Sequence, residues 1–482
     1  MPTRHQDRSR IPFLLPAVLA AGILLRFSGL GEPQLWLDEL IQISRSTQPG
    51  WEAILQDVRS ETAAVPLDYL VQGVFVQILG TSAWAARLHA ALLGCLSLGL
   101  MYWLGARLLG WLDGPAARWG GLLSTFLLAF YPLHIFYSQE GRNYSLFFFC
   151  TLLSFALLVE ALQRRSPLCW ILHSAAVLCM LYSNYLGVLA LAAQGAFVLL
   201  HPLIRTRGQM GGEKPLRSLW TGFALSASTA FLLFLPWLLQ TYSRARDAFE
   251  EDFWSLRFVA RFIQESSGGS WPLSLLLLAL AAAGFTSLWQ RRAHEVTALL
   301  LCWLCLPVAA VLLLDWWRGY FFAARQILFA SPPLLLAAAV GLAEVLRSCQ
   351  SRGRTGRAAA AIVLTAALGL GTVVLSSGKQ PADWEALDRY LHTQVAETDR
   401  VAALHIERPV AWRYPALNRR RADLDDLPPR RAWPEDSPRL HLIESRYTTS
   451  QQQRMIAEAL AAAQSAETVL VGDFKVYLLA FQ

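Results

Sequence analysis

The chain has 482 residues, of which 55% are hydrophobic and only 16% are charged. Soluble globular proteins usually carry about 25% charged residues, so this composition excludes that class and indicates a protein that crosses a membrane many times. The formal net charge of +7 is compatible with an anionic polymer as partner. However, no loop carries a basic helix or an aromatic and basic stripe, so nucleic acid is not an expected partner.

The seven cysteines lie in or beside apolar runs, and their spacing matches neither a disulfide framework nor a Cys/His metal site. Cys302 and Cys305 are three residues apart within the apolar helical pattern LLLCWLCLPV, which favours packing over redox chemistry. At the N-terminus, a basic stretch precedes the first apolar run and no small-residue cleavage site precedes Glu32. We therefore expect this run to remain as an anchor helix.

Eleven apolar runs are candidates for membrane-spanning helices, which need about 20 residues to cross a bilayer. They cover residues 11–29, 86–109, 118–137, 143–162, 168–183, 186–203, 218–240, 272–289, 295–314, 326–346 and 358–377. A twelfth run, residues 66–80, has roughly 15 residues, which suits an interfacial or re-entrant segment better than a span.

The positions of Arg and Lys predict the orientation, because basic residues near membrane ends collect on the cytoplasmic side. If residues 66–80 do not cross, every cytoplasmic connection is basic and the N-terminus is cytoplasmic. If they cross, the basic loops 205–217 and 347–357 face outward, against the rule. The predicted outward connections are therefore 30–85, 138–142, 184–185, 241–271, 315–325 and everything after about residue 377.

The segment after residue 377 has charges throughout and reads as a small soluble domain. Its pattern predicts a helix, two strands, a second helix and a strand pair around Gly472-Asp473. These elements cover residues 383–395, 401–406, 440–444, 450–464, 469–471 and 474–481, with an irregular loop at 418–438. The predicted fold is thus an all-α polytopic membrane domain, residues 1–377, followed by an extracytoplasmic α/β domain, residues 378–482.

This topology brings polar residues from several helices to the outer membrane surface. They are Asp38, Glu39, Glu140, Arg142, Asn184, Tyr185, Asp315, Arg318 and Arg325. Any one of them is equally well explained by solvation or snorkelling at a helix end. The aromatic residues at the same level favour a cleft instead; they include Trp36, Tyr137, Tyr144, Tyr182, Trp316, Trp317 and Tyr320.

Two interpretations are open for each charged motif. In GEPQLWLDEL, residues 31–40, Asp38 and Glu39 either act on an acceptor hydroxyl as a general base requires, or stabilise the start of an interfacial helix through its dipole. In FYSQEGRNYSL, Glu140 and Arg142 either form a local ion pair that contributes little to stability, or bind separate groups. In the second case Glu140 holds the acceptor or a metal, and Arg142 holds a phosphate. Arg325 begins a helix, where free backbone amides also suit a phosphate.

His134 lies one turn inside its helix, where a packed polar residue is the expected role. The chain has no glycine-rich phosphate loop, Ser/His/Asp order or HExxH motif, so nucleotide-dependent chemistry is not expected. An enzyme that works outside the membrane without a nucleotide needs an activated substrate, and a glycosyl lipid phosphate is one. Its cleavage needs a base on the acceptor and positive charge on the leaving phosphate, which the outer residues supply.

Several stretches resemble, in order, known family motifs. They are LWLDEL (35–40), VPLDYL (65–70), TSAWAARLHAALLG (81–94), YSQEGRNYSL (137–146), LYSNYLG (181–187) and AARQILFASPPLLL (323–336). Together they resemble the GT-C superfamily of membrane glycosyltransferases, specifically the bacterial relatives of protein O-mannosyltransferases and the aminoarabinose transferase of lipid A. The chain departs from the usual motifs at Asp68, Gly141, Asn184 and Gln326, where Tyr, Ala, His and Tyr are usual.

The resemblance implies a polyprenyl-phosphate-linked sugar as donor, inverting transfer to an acceptor hydroxyl, and a bacterial cytoplasmic membrane. Asp38, with Glu39 beside it, would be the base. Glu140 and Asn184 would orient the acceptor or a divalent cation. The leaving lipid phosphate would be held by Arg142, Arg325, Arg318 and Tyr144.

The sequence leaves open the sugar, the metal requirement and whether the acceptor is a lipid, a glycan or a protein. The alternative function is a transporter or flippase of lipid-linked sugars, which commonly has two related halves and ionisable groups near the bilayer midplane. A structural subunit that docks partners is a third option. No repeat is visible and the charges collect at one surface, which favours the enzyme.

Overall fold

A computed structural model gives the fold of the chain. It describes residues 11–60, 64–110, 112, 115–204, 216–246, 263–265, 270–318, 324–351, 384–396, 398–404, 406, 410, 439–445 and 450–480. The chain divides into two compact units. The first unit contains Met1–Leu30 and Pro49–Gly378, and the second contains Gly31–Gln48 and Lys379–Gln482.

Up to Ser351 the described chain is helical. Its α-helices are α1 Ile11–Phe27, α2 Leu37–Ser46, α3 Trp51–Arg59, α4 Leu67–Leu79, α5 Ala83–Leu109, α6 Pro115–Ala129, α7 Pro132–Ser138, α8 Tyr144–Arg164, α9 Pro167–Ser183, α10 Gly187–Ile204, α11 Leu216–Arg246, α12 Trp271–Gln290, α13 His294–Arg318 and α14 Ser331–Ser351. A 3-10 helix, Ala324–Ala330, leads into α14. Helix α2 belongs to the second unit, and the others to the first.

Among the described helices, seven are long and apolar enough to cross a membrane, and α6 with α7 makes an eighth if the bent pair is one span. Three shorter apolar helices accompany them, at Leu14–Phe27, Leu67–Leu79 and Pro167–Ser183. The predicted run 358–377 lies outside the described residues. The chain is thus a mostly helical, multi-pass membrane protein. Helix α4 has 13 residues, fewer than the roughly 20 that a span needs, as expected for the run 66–80.

The helix predicted over residues 118–137 is not continuous, because the structure breaks it into α6 and α7 with a bend of 61°; whether the bent pair forms one span stays a prediction. Pro132 has no backbone N–H and disfavours helical geometry at the residue before it, so Tyr131 adopts an extended conformation. The fully buried Arg26 donates to two carbonyls at the break, Leu128 O at 3.0 Å and Ala129 O at 3.3 Å. Leu128 O also accepts from the Tyr131 N–H at 3.3 Å. Carbonyls within a bilayer need such partners, since no water reaches them.

The guanidinium of Arg26 also lies 2.8 Å from His134 Nδ1. His134 is buried and packs edge-on against the ring of Phe148, with ring centroids 4.3 Å apart. The expectation of a packed polar residue at position 134 is confirmed. Arg26 and His134 together join the end of α1 to the start of α7.

Ion pairs join the helix ends that the charge argument assigns to the cytoplasmic side. Glu160 at the end of α8 pairs with Arg164 and, at 3.3 Å, with Arg107 at the end of α5. Glu344 near the end of α14 pairs with Arg291, which follows α12, at 2.5 Å and with Arg347 at 2.9 Å. The ends that were predicted to share one membrane side therefore meet in pairs.

The second unit adds helices α15, Trp384–Gln394, and α16, Ser450–Ala462, and a four-stranded sheet. Its strands are β1 Arg400–Ala403, β2 Leu440–Glu444, β3 Ser465–Val471 and β4 Phe474–Ala480. The strand order is β1-β2-β4-β3, with β1 parallel to β2 and the other pairs antiparallel. These elements lie within a few residues of their predicted positions, and the predicted loop 418–438 lies outside the described residues.

Candidate active site

The residues Gln139 to Asn143, which we call the Glu140 turn, connect α7 to α8. The Arg142 N–H donates to the Glu140 carbonyl at 2.7 Å and closes a tight turn. Glu140 is 1% exposed, Gly141 is buried and Arg142 is half-buried. The turn therefore holds a buried carboxylate and a partly accessible guanidinium two residues apart.

Side-chain amides fix this turn to four helices of the first unit. Gln139 Nε2 donates to Leu25 O at 2.9 Å and to Ser28 O at 2.8 Å, at the end of α1. Asn143 Nδ2 donates to Ser183 O at the end of α9, at 2.7 Å. The amide of Gln72 on α4 donates to Gly141 O at 3.3 Å and to Ala86 O of α5 at 2.9 Å. A turn held from several sides keeps its functional groups in one geometry.

Tyr137, in the last turn of α7, lies near three of the predicted site residues. Its hydroxyl interacts electrostatically with Glu140, Tyr144 and Arg325. Its ring meets that of Tyr144 edge-on, with centroids 4.9 Å apart. Helices α7 and α8 and the 3-10 helix pack against one another, so the Glu140 turn, Tyr144 and Arg325 lie in the same part of the first unit. Tyr137, which was expected only as part of the aromatic surroundings, becomes a further candidate site residue.

Arg325 is the second residue of the 3-10 helix and is half-buried. The helix is fixed through Phe329, whose ring lies 4.6 Å from that of Phe147 on α8 and whose carbonyl accepts from Trp303 Nε1 at 3.1 Å. Trp303 on α13 in turn stacks on Phe155 of α8 at 3.7 Å. A guanidinium on such a firmly packed helix start suits an anionic oxygen.

Asn184 has a structural task in the connection between α9 and α10. Its backbone is extended, and its Oδ1 accepts from the Leu186 N–H at 2.9 Å, which helps to start α10. The neighbouring Tyr185 hydroxyl donates to Ala64 O at 3.1 Å and lies 2.6 Å from Thr241 Oγ1. Position 184 thus shapes the connection locally, and its role toward an acceptor or a metal stays a prediction.

Asp38 and Glu39 are the second and third residues of α2, in the second unit. Glu39 is fully buried and its Oε2 accepts from the Trp36 N–H at 3.3 Å, as a carboxylate does at the third position of a helix. Asp38 is half-buried. The helix-start interpretation therefore describes Glu39, and Asp38 is the carboxylate of the pair that is more accessible. The side chains of Arg318 and Asp315 lie outside the described part of the structure.

No three His, Cys, Asp or Glu side chains converge into a metal-binding group among the described residues. Protein sites for divalent cations need several oxygen or nitrogen ligands at one point. Glu140 alone does not make such a site, so the described residues do not fit a metal centre built by the protein, and no chemical step is derived through a metal.

Sequence reasoning singled out charged residues and missed the neutral ones that hold the Glu140 turn in place. Gln72, Gln139 and Asn143 were not singled out, nor was Arg26. Polar residues within or beside apolar runs are a usable signal, because each needs a partner inside the bilayer. The sequence does not show which carbonyl each amide meets.

No family model matches the chain. It is 27% identical over 386 residues to the undecaprenyl phosphate-alpha-4-amino-4-deoxy-L-arabinose arabinosyl transferase of Pseudomonas savastanoi pv. phaseolicola, covering 76% of this chain and 67% of the relative. The structure of this chain is similar to that of apo ArnT from Cupriavidus metallidurans, with a TM-score of 0.64 and 14% sequence identity, and the match covers 98% of each chain. The Archaeoglobus fulgidus oligosaccharyltransferase also matches, with a TM-score of 0.56 and 10% identity over 96% of this chain and 72% of that one.

The chain has the same fold as ArnT and the archaeal oligosaccharyltransferase. The resemblance that its motifs predict is confirmed by its similarity to the arabinosyl transferase. The GT-C fold covers nearly the whole chain rather than only the membrane part, since the similarity to ArnT extends over 98% of its length.

Proposed function

We propose that this GT-C enzyme transfers a sugar from a polyprenyl-phosphate donor to an acceptor hydroxyl at the outer side of a bacterial cytoplasmic membrane. The observation that carries the proposal is that α7, α8 and the 3-10 helix pack against one another, so that the Glu140 turn, Tyr144 and Arg325 lie in the same part of the first unit. The relative from Pseudomonas savastanoi is named for an undecaprenyl phosphate-linked sugar, which supports the class of donor.

In the proposed reaction, the Asp38 carboxylate takes the proton of the acceptor hydroxyl. The acceptor oxygen attacks the anomeric carbon, and the bond from that carbon to the phosphate oxygen breaks with inversion. The electron pair leaves with the phosphate, giving polyprenyl phosphate. Arg142, Arg325 and Arg318 stabilise the charge on this leaving group, because positive groups in a site of low dielectric act strongly on developing charge.

Glu140 is proposed to orient the acceptor. Tyr144 is proposed to position the phosphate through the aromatic contact with Tyr137, whose centroid lies 4.9 Å away. The chemistry of the acceptor, whether lipid, glycan or protein, is not part of the proposal. Membrane lipids surround the apolar helices.

We further propose the orientation with the N-terminus in the cytoplasm, eleven spans with residues 358–377 as the last, and an extracytoplasmic α/β domain from residue 378. The basic cytoplasmic loops support this orientation. The ion pairs of Glu160 and Glu344 support the grouping of these helix ends on one side of the membrane. The four-stranded sheet with two helices supports the α/β class of the last segment.

The decisive experiment measures transfer of labelled sugar from undecaprenyl phosphate by the purified full-length protein. Asp38→Asn keeps the size of the side chain and removes the base, so transfer is expected to fall by about 10² to 10⁴-fold. Asp57→Asn, on α3 of the same predicted outer loop, is the matched control and is expected to keep its activity. Full activity of Asp38→Asn would overturn the assignment of the base. Movement of the intact lipid-linked sugar across vesicles, without transfer, would support a flippase instead.

A further inference from the structure

One face of α4 carries two buried polar residues, Asp68 and Gln72, one helical turn apart. Asp68 Oδ1 lies 3.3 Å from His89 Nε2 on α5, and both side chains are fully buried. Gln72 is also fully buried. A helix of 13 residues, shorter than a membrane span, thus presents a polar face to α5, where a polar group needs a partner.

The amide of Gln72 joins two elements that the proposed reaction needs to keep together. Its Nε2 donates to Ala86 O of α5 at 2.9 Å and to Gly141 O of the Glu140 turn at 3.3 Å. An amide nitrogen has two hydrogens, so one side chain supplies both bonds. Through Gln72, the carbonyl between Glu140 and Arg142 is tied to the first turn of a long membrane helix.

Gly141 allows this close approach. A Cβ atom at position 141 would lie 2.9 Å from Ala86 O, which is closer than Cβ atoms approach other atoms in real structures. It would lie 3.2 Å from Gln72 Nε2, which is a tight contact. The resembling family motif usually has Ala at this position. In this chain the Gln72 amide and the glycine are therefore matched to each other, and the turn packs directly against the backbone of α5.

We propose that Gln72 is a positioning residue that sets the Glu140 turn for the transfer reaction. This inference rests on the proposed function. Gln72 does not contact the reacting groups in this scheme; it fixes the backbone that carries Glu140 and Arg142.

The kinetic consequence follows from the position of the fixed carbonyl. Glu140 and Arg142 flank Gly141, so loss of the bond to Gly141 O lets both side chains shift together. A shift of about 1 Å in a positioning group costs on the order of 10²-fold in rate. Ground-state binding of the long lipid donor depends on many other contacts, so kcat is expected to change far more than the KM for the donor.

Gln72→Met is the test variant, since it keeps the volume of the side chain and removes both donors. The matched control is Gln194→Met on α10, a fully buried glutamine that lies 3.1 Å from His173 Nε2 and donates to Ser154 Oγ at 2.8 Å. Both variants lose buried hydrogen bonds, and both are expected to lower the thermal midpoint to a similar extent. Only Gln72→Met is expected to lower kcat by about 100-fold, with the donor KM changed less than threefold.

Two further variants separate a positioning role from a purely structural one. Gly141→Ala disturbs the same contact from the other side and is expected to give the same selective loss of kcat, including when Gln72→Met fails to accumulate. In a Glu140→Ala/Arg142→Ala background, where both positioned side chains are gone, Gln72→Met is expected to add less than a threefold loss, because groups that act as one unit are not additive. A further 100-fold loss in that background would overturn the inference.

The outcomes distinguish this inference from the function on which it rests. If wild-type protein transfers sugar and Gln72→Met keeps its kcat within threefold of the Gln194→Met control, the positioning role is wrong and the proposed function stands. If wild-type protein transfers no sugar from polyprenyl-phosphate donors, both the proposed function and the positioning role of Gln72 are wrong. Selective loss of kcat in Gln72→Met and Gly141→Ala supports both.

Discussion

Two tyrosines of the second unit have unusual protonation behaviour. Burial, together with the 2.6 Å hydrogen bond that its hydroxyl donates to Glu444, raises the pKa of Tyr477 to about 12. Burial, and then the charge of Asp399, raises the pKa of Tyr390 to about 12; the Tyr390 hydroxyl lies 2.9 Å from His441 Nδ1. Both hydroxyls therefore stay protonated at a pH at which an exposed tyrosine ionises, near 10.

This predicts a decline in stability at alkaline pH. A pKa raised on folding means that the folded state binds the proton more tightly, so the stabilisation is fully present below pH 10 and is lost as the pH rises toward 12. Tyr477→Phe is expected to show a smaller fall in thermal midpoint between pH 10 and pH 11.5 than the wild type. The measurement is circular dichroism of the full chain at each pH. Thr468→Ala, on β3 directly opposite Tyr477, is the control. Equal alkaline declines in both variants would contradict the prediction.

At the level of single residues, the sequence identified charges better than amides. Glu140, Tyr144 and Arg325 were expected at one site, and the structure places them in the same part of the first unit. Gln72 was missed, because a neutral residue in the run PLDYLVQGVFVQILG has no feature that separates a buried partner from an exposed one. Its importance depends on two carbonyls, 14 and 69 residues away in the chain, that only the fold brings near.

At the level of helices, the apolar pattern located the elements and misjudged their continuity. Hydropathy over residues 118–137 predicts one span, since Pro132 barely lowers the average. The proline nevertheless ends α6, and the break persists because Arg26 from α1 donates to two carbonyls there. The helices and strands after residue 378 were easier to predict from the sequence, because their alternation and the Gly472-Asp473 turn, where Gly472 has φ 58°, give clear local boundaries.

The crossing of α12 and α14 depends on two glycines. A Cβ at Gly284 would overlap the carbonyl of Ala337, and a Cβ at Gly341 would overlap that of Leu280. Small residues at a crossing let helix backbones approach closely, which membrane helices use because they gain little from hydrophobic burial against each other. These helices also carry the Glu344 ion pairs, so their contact holds one end of the bundle.

Gly284→Ala is therefore expected to destabilise the protein by about 1–3 kcal/mol through overpacking. Gly99→Ala on α5 is the matched control, because a Cβ there meets no atom within 4 Å. The control is expected to leave the protein unchanged or slightly more stable, since alanine favours helix over glycine. The measurement is the thermal midpoint of each detergent-purified variant. Similar midpoints for the two variants would show that the crossing tolerates a methyl group.

For the whole molecule, the orientation follows from charge and can be tested directly. Ser60 follows α3 in the predicted outer loop, and Gln163 lies near the end of α8 on the predicted cytoplasmic side; both are exposed. With the seven native cysteines replaced, Ser60→Cys is expected to react with a membrane-impermeant maleimide in intact cells. Gln163→Cys is expected to react only after the membrane is opened. The reverse pattern would overturn the proposed orientation.

The division into two units was only partly foreseeable. A change in composition near residue 378 marks the start of the last segment, and Lys379–Gln482 belongs to the second compact unit. The same unit includes Gly31–Gln48, which was expected to belong with the first outer loop, residues 30–85. Contacts between segments so far apart in sequence leave no local pattern, which is why the sequence could not show this grouping.

This grouping has a consequence for the order in which the protein is synthesised and folds on the ribosome. Helix α2 is made early, whereas Lys379–Gln482, the rest of its compact unit, is made about 330 residues later. At about 5–20 residues per second, that delay is roughly 17 to 66 s. Leu37, Leu40 and Ile43 are all buried in the folded protein. During this interval the spanning helices insert, while the rest of the compact unit that contains these residues has not yet been synthesised. The stretch that carries Asp38 is thus among the first parts synthesised and among the last to reach its final surroundings.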